Sequence, residues 1–460
     1  MMQRRKVLIL GLGMFPNGSG VSAARYFLRQ GAEVRVTDQK TAKELGANVR
    51  TLKTYRRVRF ILGKHRSEDV RWADVVVRNP RVRATSPEMK LAIKLGKRIE
   101  SDVTLFMDKC PCPIVGITGT RGKSTTTALV GEMLKRSGIR TWVGGNILVS
   151  PLTFLDDVKR TDVVVLELSS FMLESTGDRG LSPHIAVFTN LFQDHLNAYE
   201  GMEDYAEAKA QIFRHQMPDD VAVFNADDAR CRAYAKEAPS RTFLFGSRQE
   251  ADARMTARDL RWTDPATGKR GVLLKRKEVR LLGDHNAMNV LAAALAARLA
   301  GATLPGIRSA ATSFTGLENR LEHVATVGGV RYVNDTTATS PDGAIAAIRA
   351  VAPIAKRLHL IAGGADKELA FDILAKDIRK ARACVTLFHG TAFKAFAKAL
   401  RRVGVPFGIV GSMREAVEMH RLHATKGDIV LLSPGCASFG MFQNEFDRGN
   451  QFKKLVKALE

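Results

Sequence analysis

No stretch of the 460 residues approaches the roughly 20 apolar positions that a membrane-spanning helix needs. That absence excludes a helical membrane protein. The opening "MMQRRKVLILGLGMF" places two arginines before an apolar run, yet glycines interrupt it and no small-residue cleavage site follows. It therefore reads as a first buried strand. Cysteine is scarce as well: five residues, at 110, 112, 231, 384 and 436. Cys110 and Cys112 stand one proline apart, which fits neither a CxxC redox pair nor a zinc half-site, so reduced structural thiols are expected. Aromatic residues make up only 7% and are nowhere interleaved with bases, and no nucleic-acid-binding motif is present. Low-complexity segments and short-period repeats are missing too. The 45% apolar and 26% charged composition is that of a folded globular chain.

Acidic residues are the other shortage. Against 71 Lys and Arg there are 47 Asp and Glu, leaving a net charge of +24. An anionic partner is one implication, and a merely solvated basic surface is the other. The excess is uneven: residues 1–102 carry 23 basic against 9 acidic side chains. Concentrated there, and without aromatic platforms, it favours an anionic small-molecule site over nucleic acid.

The length implies two or three domains, and three blocks separate on pattern. Residues 1–102 open with "KVLIL", a glycine turn, a helix near 20–30 and the strand "EVRVTD", followed by "ADVVV" and a helix in "SPEMKLAIKLG". Residues 103–316 hold "PIVGIT", a second glycine turn, the helix "KSTTTALVGEMLKRSG", strands "DVVVLEL", "HIAVFTN" and "DVAVFNA", and the alanine-rich "HNAMNVLAAALAARLAG". Residues 317–460 hold "RYVNDTT", "RLHLIAGG", "ACVTLFHG" and "DIVLLSPG", separated by helical stretches. Strands alternating with helices imply parallel α/β sheets with ligands beyond the strand C-termini. The expected fold is thus α/β in three domains: a Rossmann-like N-terminal one, a central P-loop ATPase-type parallel sheet, and a Rossmann-like C-terminal one.

The chemistry concentrates in "GITGTRGKSTTT", residues 116–127. A strand enters, Gly119 and Gly122 allow close backbone approach, and Lys123 and Ser124 open a helix whose N–H groups attract phosphate. Lys123 would reach the β/γ oxygens and the Ser124 hydroxyl a Mg²⁺ ion. The strict GxxxxGK[ST] spacing wants glycine at position 117, where this chain has Ile117, so this is a variant phosphate loop. Mg²⁺ needs further oxygens. Glu167, ending "DVVVLEL", and Asp194 and His195, following "HIAVFTN", stand at strand ends in the same block, where a cap or a core hydrogen bond is the plainer reading of each.

In order along the chain, "TGTRGKST", "LELSSF", "DHLNAYEGMEDYAEAKAQIF", "GDHNAMNVLAAALA", "TGLENRLE", "NDTTATSPDGAIAAI" and "LLSPGCASFGMFQNEFDRGNQF" resemble the Mur ligase family over essentially the whole length. Among its members, the GxG-type first block and the C-terminal motif are most similar to those that add D-glutamate to UDP-N-acetylmuramoyl-L-alanine. The resemblance implies ATP-driven amide formation through an acyl phosphate, in cytoplasmic peptidoglycan precursor synthesis, by a monomeric enzyme with no membrane or nucleic-acid partner. It implies a nucleotide site of Gly119, Thr120, Gly122, Lys123, Ser124, Thr125, Asn286, Asn289, Arg320 and Asp335. Ser124, Glu167, His195 and Lys209 would meet one or two Mg²⁺ ions, Lys209 as a carbamate; Lys123, His195 and Lys209 would be the catalytic set. By the same resemblance Gly13, Thr37, Asp38, Asn146 and Ser169 hold the UDP substrate, and Thr339, Lys367 and Ser438 the glutamate. On its residues alone, Lys209 reads as an exposed helix lysine.

The turn "GLGMFPNGSG" is ambiguous by itself. Gly11 and Gly13 fit a dinucleotide turn, but its third glycine would fall at Pro16. Several positions depart from the family pattern. Thr336 and Thr337 stand where Ser-Lys is usual, Met172 replaces a glutamine, Asn319 a histidine, and "RNPRV" (78–82) a Ser-Pro-Gly turn. They bear on UDP contacts and amino-acid choice, leaving open L-glutamate or another amino acid or acceptor. They do not touch the phosphate loop.

Overall fold

The computed structural model describes residues 5–147, 149–194, 198–366 and 369–459. The chain divides into two compact units, one of Met1–Glu278 with Met288–Thr312 and one of Val279–Ala287 with Ser313–Glu460. The first unit contains two sheets and the second contains one.

The first sheet comprises β1 (Lys6–Leu10), β2 (Glu33–Asp38), β3 (Val58–Leu62), β4 (Val75–Arg78) and β5 (Arg98–Glu100). Its order is β3-β2-β1-β4-β5, with every pairing parallel. The apolar run of β1 is central because helices cover both faces, and Val7 to Leu10 are all buried. The order reverses between β1 and β4, which opens a crevice at the β1 glycine turn.

The second sheet has nine strands: β6 (Ile114–Thr118), β7 (Thr141–Gly145), β8 (Val163–Glu167), β9 (Ile185–Phe188), β10 (Val221–Asn225), β11 (Arg241–Gly246), β12 (Ala253–Met255), β13 (Asp259–Thr263) and β14 (Arg270–Lys275). They run β14-β13-β12-β11-β10-β9-β6-β8-β7. The pairings are parallel from β7 to β12 and antiparallel through β13 and β14. The expected parallel sheet therefore carries an antiparallel margin. Its strands alternate apolar and charged residues, as in "DLRWT", and are only half buried.

In the second unit β15 (Glu322–Val327), β16 (Val330–Asn334), β17 (Leu358–Ala362), β18 (Cys384–Phe388), β19 (Phe407–Val410) and β20 (Ile429–Leu432) form a sheet. Its order is β15-β16-β20-β17-β18-β19. Only the β15–β16 hairpin is antiparallel. No described helix is long and apolar enough to cross a membrane.

Candidate active site

β6 is buried throughout and delivers the phosphate loop to the middle of its sheet. Gly119 has φ +140°, and a Cβ built there would lie 2.0 Å from Thr189 Oγ1. Gly122, at φ +84°, caps the helix Lys123–Arg136, and a Cβ would meet Asn289 Oδ1 at 2.4 Å. Only glycine fits at either position. The loop is pinned from β9: the Arg121 N–H donates to Asn190 Oδ1 (2.8 Å), and the Thr189 hydroxyl donates to the Arg121 carbonyl (2.6 Å). The Thr120 hydroxyl lies 3.3 Å from the Tyr205 phenol. Lys123, Ser124 and Thr125 form the first helical turn, where N–H groups have no intrahelical acceptors. Lys123 Nζ donates to the loop's own Gly119 and Thr120 carbonyls at 2.8 and 3.1 Å.

Lys209 is not an exposed helix lysine. It lies on the buried face of the helix Met202–Arg214 and is 2% exposed. Its Nζ donates to the Gly119 carbonyl at 3.0 Å and sits 4.8 Å from the Tyr205 ring centroid. Burial, reinforced by the Lys123 ammonium, holds its pKa well below the ordinary lysine value, although the Asp194 and Glu167 carboxylates oppose the shift. The inward face was legible in the apolar Tyr205, Ala206, Ile212 and Phe213 around it, which are buried with it.

Glu167 ends β8 and is also buried. Its Oε1 accepts from Asn146 Nδ2 at 2.8 Å, while Oε2 has no partner among the described residues. The Asn146 N–H donates to the Glu167 carbonyl, and Ser169 caps the helix Ser170–Asp178. Asp194 pairs with Arg121 at 3.4 Å. A buried carboxylate oxygen that no described residue bonds is the kind of hard oxygen donor a divalent cation takes, which fits the expected role of Glu167. His195 and Lys367 lie outside the described residues.

The N-terminal turn is organised around Asp38. Its Oδ2 accepts from the Leu12 and Gly13 N–H groups at 2.8 and 3.1 Å, and its Oδ1 from Lys40 N–H at 2.9 Å. Thr37 is buried, with its hydroxyl 2.9 Å from His65 Nδ1. Gly20 takes the place that the GxG spacing leaves empty at Pro16. A Cβ on Gly20 would lie 2.4 Å from the Gly11 carbonyl oxygen, so the helix Ser19–Arg29 packs on the turn only with glycine there. Arg78, first of the divergent "RNPRV", is buried. It donates to Glu174 Oε2 at 2.5 Å and to the Phe171 carbonyl at 3.3 Å. Its charge is thus matched by a carboxylate.

In the second unit, Asp335 Oδ1 accepts from Leu321 N–H (3.1 Å) and Oδ2 from the Ser433 hydroxyl (2.8 Å). Asn286 is buried, with its amide donating to the Leu282 carbonyl at 2.8 Å; Arg320 is exposed and Thr339 half-buried. Asn319 replaces histidine at a left-handed position, φ 65°, which asparagine tolerates well. Its carbonyl accepts from the Thr337 hydroxyl at 2.8 Å. The Ser438 hydroxyl is buried without a partner among the described residues. Arg448, which the sequence reading passed over inside "FDRGNQF", is fully buried. It donates to the Thr336 hydroxyl and carbonyl (3.0 and 2.8 Å) and to the Cys436 and Ala437 carbonyls. Burial lowers its pKa to about 10, so it stays cationic at neutral pH beneath the segments bearing Thr337 and Ser438. The expected site residues of the first unit stand at or just past the C-terminal ends of β1, β2, β6, β7 and β8, with Lys209 and Asn289 on helices; in the second unit Asp335 and Thr339 follow β16 and Ser438 follows β20.

Family models match along the chain: a MurD-like N-terminal domain of Mur ligases over 5–101, a Mur ligase middle domain over 117–297, and a Mur ligase glutamate ligase domain over 319–436. A UDP-N-acetylmuramoylalanine–D-glutamate ligase of Roseiflexus sp. is 44% identical over 466 aligned residues, covering 99% of this chain and 98% of the relative. The enzyme of that name from Symbiobacterium thermophilum is 40% identical over 99% and 98% of the two chains. Among solved structures, MurF ligase of Thermotoga maritima, in complex with ADP, superposes with a TM-score of 0.64 at 16% identity, covering 99% of both chains. UDP-N-acetylmuramate-alanine ligase MurC of the same organism does so with a TM-score of 0.63 at 20% identity, covering 99% of this chain and 100% of that one.

Proposed function

Since the chain belongs to the Mur ligase family, we propose that it is the ATP-dependent, cytoplasmic ligase that joins D-glutamate to UDP-N-acetylmuramoyl-L-alanine in peptidoglycan precursor synthesis. Full-length similarity to relatives carrying that name supports the substrate pair. The observation that carries the chemistry is the convergence of Lys123 and Lys209 on the Gly119 carbonyl of the phosphate loop.

ATP binds with its phosphates on the N–H groups of Gly122 to Thr125, and Lys123 exchanges its two loop carbonyls for phosphate oxygens. The substrate carboxylate oxygen then attacks the γ-phosphorus and ADP leaves, giving an acyl phosphate. The glutamate amine, once deprotonated, attacks the acyl carbon; inorganic phosphate leaves and the amide forms. Both steps bring anions together, so positioning and charge neutralisation dominate. Ser124 and Glu167, with His195 and Lys209, would hold Mg²⁺, and the ion would supply further charge neutralisation. The lowered pKa of Lys209 favours the neutral amine, the form that condenses with carbon dioxide to a carbamate, exchanging a cation for two acceptor oxygens. Asn286, Asn289, Arg320 and Asp335 serve the nucleotide. Gly13, Thr37, Asp38, Asn146 and Ser169 serve the UDP substrate, with Asp38 shaping the turn through its backbone bonds. Thr339, Lys367 and Ser438 take the glutamate carboxylates, and Arg448 supports the Ser438 segment from below.

The test is phosphate release with ATP, Mg²⁺ and UDP-N-acetylmuramoyl-L-alanine, offering D- and L-glutamate separately and weighing the product. Turnover with D-glutamate alone is expected. Turnover with L-glutamate, or with neither, would reassign the C-terminal pocket, where Thr337 replaces a lysine.

A further inference from the structure

Residues 108–113 join the helix Asp102–Met107 to β6, the strand that carries the phosphate loop. Both ends of this link are anchored. The Cys110 N–H donates to the Phe106 carbonyl at 2.8 Å, and the Pro113 carbonyl accepts from Val164 N–H at 3.1 Å. Between them Pro111 is exposed, Cys110 half-buried and Cys112 buried. The two sulfurs are 3.7 Å apart, and Cys110 Sγ lies 3.5 Å from the Cys112 carbonyl oxygen.

This geometry separates two roles. The Cys112 thiol, hydrogen-bonded to the Cys110 sulfur, holds the Cys110 pKa below that of an ordinary thiol. The same bond, with burial and the nearby Asp162 carboxylate, pushes Cys112 far upward. Asp162 is itself held ionised, against its burial, by the Lys159 N–H, the Trp142 indole N–H and Arg140. The more accessible sulfur is thus the more acidic of the two. Bonding asks the two sulfurs to close from 3.7 Å to the roughly 2 Å of a disulfide, inside a link whose two ends are anchored.

We propose that Cys110 and Cys112 form a redox-reactive dithiol, Cys110 attacking and Cys112 resolving, that closes to a disulfide in the link leading into β6. The co-reactant is a small-molecule disulfide such as oxidised glutathione. The Cys110 thiolate attacks one of its sulfurs, forming a mixed disulfide and expelling one glutathione. Cys112 then attacks the Cys110 sulfur, forming the protein disulfide and expelling the second glutathione. The two thiol protons end on the two glutathiones, so electrons and protons balance.

The experiment exposes the reduced, full-length protein to oxidised glutathione, then counts free thiols and maps disulfide-linked peptides by mass. Loss of two of the five thiols, recovered as a Cys110–Cys112 link and reversed by dithiothreitol, is expected. Cys112→Ser is expected to stall with one glutathione on Cys110, and Cys110→Ser to keep all four remaining thiols. The proposal is overturned if the wild type retains five thiols, if it accumulates only a stable glutathione adduct, or if the link maps to Cys231, Cys384 or Cys436. Thiol counting does not depend on turnover, so the result stands apart from the assignment of the ligase substrates.

Discussion

Lys123 and Lys209 approach the same carbonyl oxygen from different surroundings. Lys123 opens a helix at a part-buried position, whereas Lys209 is buried, and burial with the neighbouring Lys123 charge lowers its pKa toward the neutral amine. Replacing Lys123 with alanine removes a cation that acts on the charge developing in transfer. Turnover is expected to fall by at least about 10²–10³-fold, with UDP-substrate binding retained, as steady-state phosphate release and calorimetric titration would report. Lys209→Ala is expected to lose activity that millimolar short carboxylic acids partly restore, since acetate or formate supplies the two lost oxygens. Normal activity without rescue would reduce Lys209 to a packing residue. The loop lysine was legible from sequence because its spacing to the glycines is diagnostic. Lys209 reads as exposed from its charge alone, although Tyr205, Ala206, Ile212 and Phe213 mark its face as the inward one; no helix pattern shows what that face meets.

At the scale of single elements, the glycine loop works because β9 presses against it. Thr189 Oγ1 occupies the space a Gly119 side chain would need, and its bonds to the Thr118 and Arg121 carbonyls stop it moving aside. Gly119→Ala is therefore expected to destabilise by about 1–3 kcal/mol and to abolish nucleotide binding. Gly138 makes the control. It follows the helix Lys123–Arg136 at φ +80° with nothing within 4 Å of an added Cβ. Gly138→Ala is expected to cost about 1–2 kcal/mol for the left-handed backbone alone, with ATP affinity unchanged. Thermal unfolding and nucleotide titration of both variants separate the two costs. The same contrast bounds what spacing reveals. Gly119 and Gly122 were marked by their motif, whereas Gly20, equally intolerant of a Cβ, fell outside the GxGxxG count because an insertion displaced it.

For the whole molecule, the C-terminal unit carries a proton-linked term in its stability. His359 Nε2 lies 3.3 Å from Asp428 Oδ2, and its Nδ1 lies 3.2 Å from His420 Nδ1. With Nε2–H given to Asp428, His359 Nδ1 must accept, so His420 donates from Nδ1 and leaves its buried Nε2 bare, without a partner. Burial, aided by His359 and His423, lowers the His420 pKa to about 3. Burial also lowers His359, helped by Arg357 and His423, although Asp428 resists. Asp428 is kept low, against its burial, by the Thr425 N–H and hydroxyl and by His359. Folded pKa values below the unfolded value near 6.5 mean that the unfolded chain binds more protons under that pH. This contribution is whole above pH 6.5 and declines as the pH falls toward 3. The urea midpoint of the C-terminal transition is expected to drop between pH 7 and pH 5.5, and to drop less in His420→Met. An equal drop in both would remove the pair from the account.

Except for the antiparallel margin of β13 and β14, the alternation of buried strands with helices was determined by the sequence, as were the phosphate loop and its lysine and the family itself. Each is a local pattern of apolar period, glycine spacing or contiguous motif, and local patterns survive without coordinates. Tertiary structure alone decided the environments: what the inward-facing Lys209 meets, that Glu167 keeps an oxygen without a partner among the described residues, that Arg448 underlies the Ser438 segment, that Arg78 is neutralised by Glu174, and that two thiols judged inert lie within reach of each other. Burial and pairing depend on what distant segments place around a side chain. No stretch of sequence contains that information until the sheets are assembled.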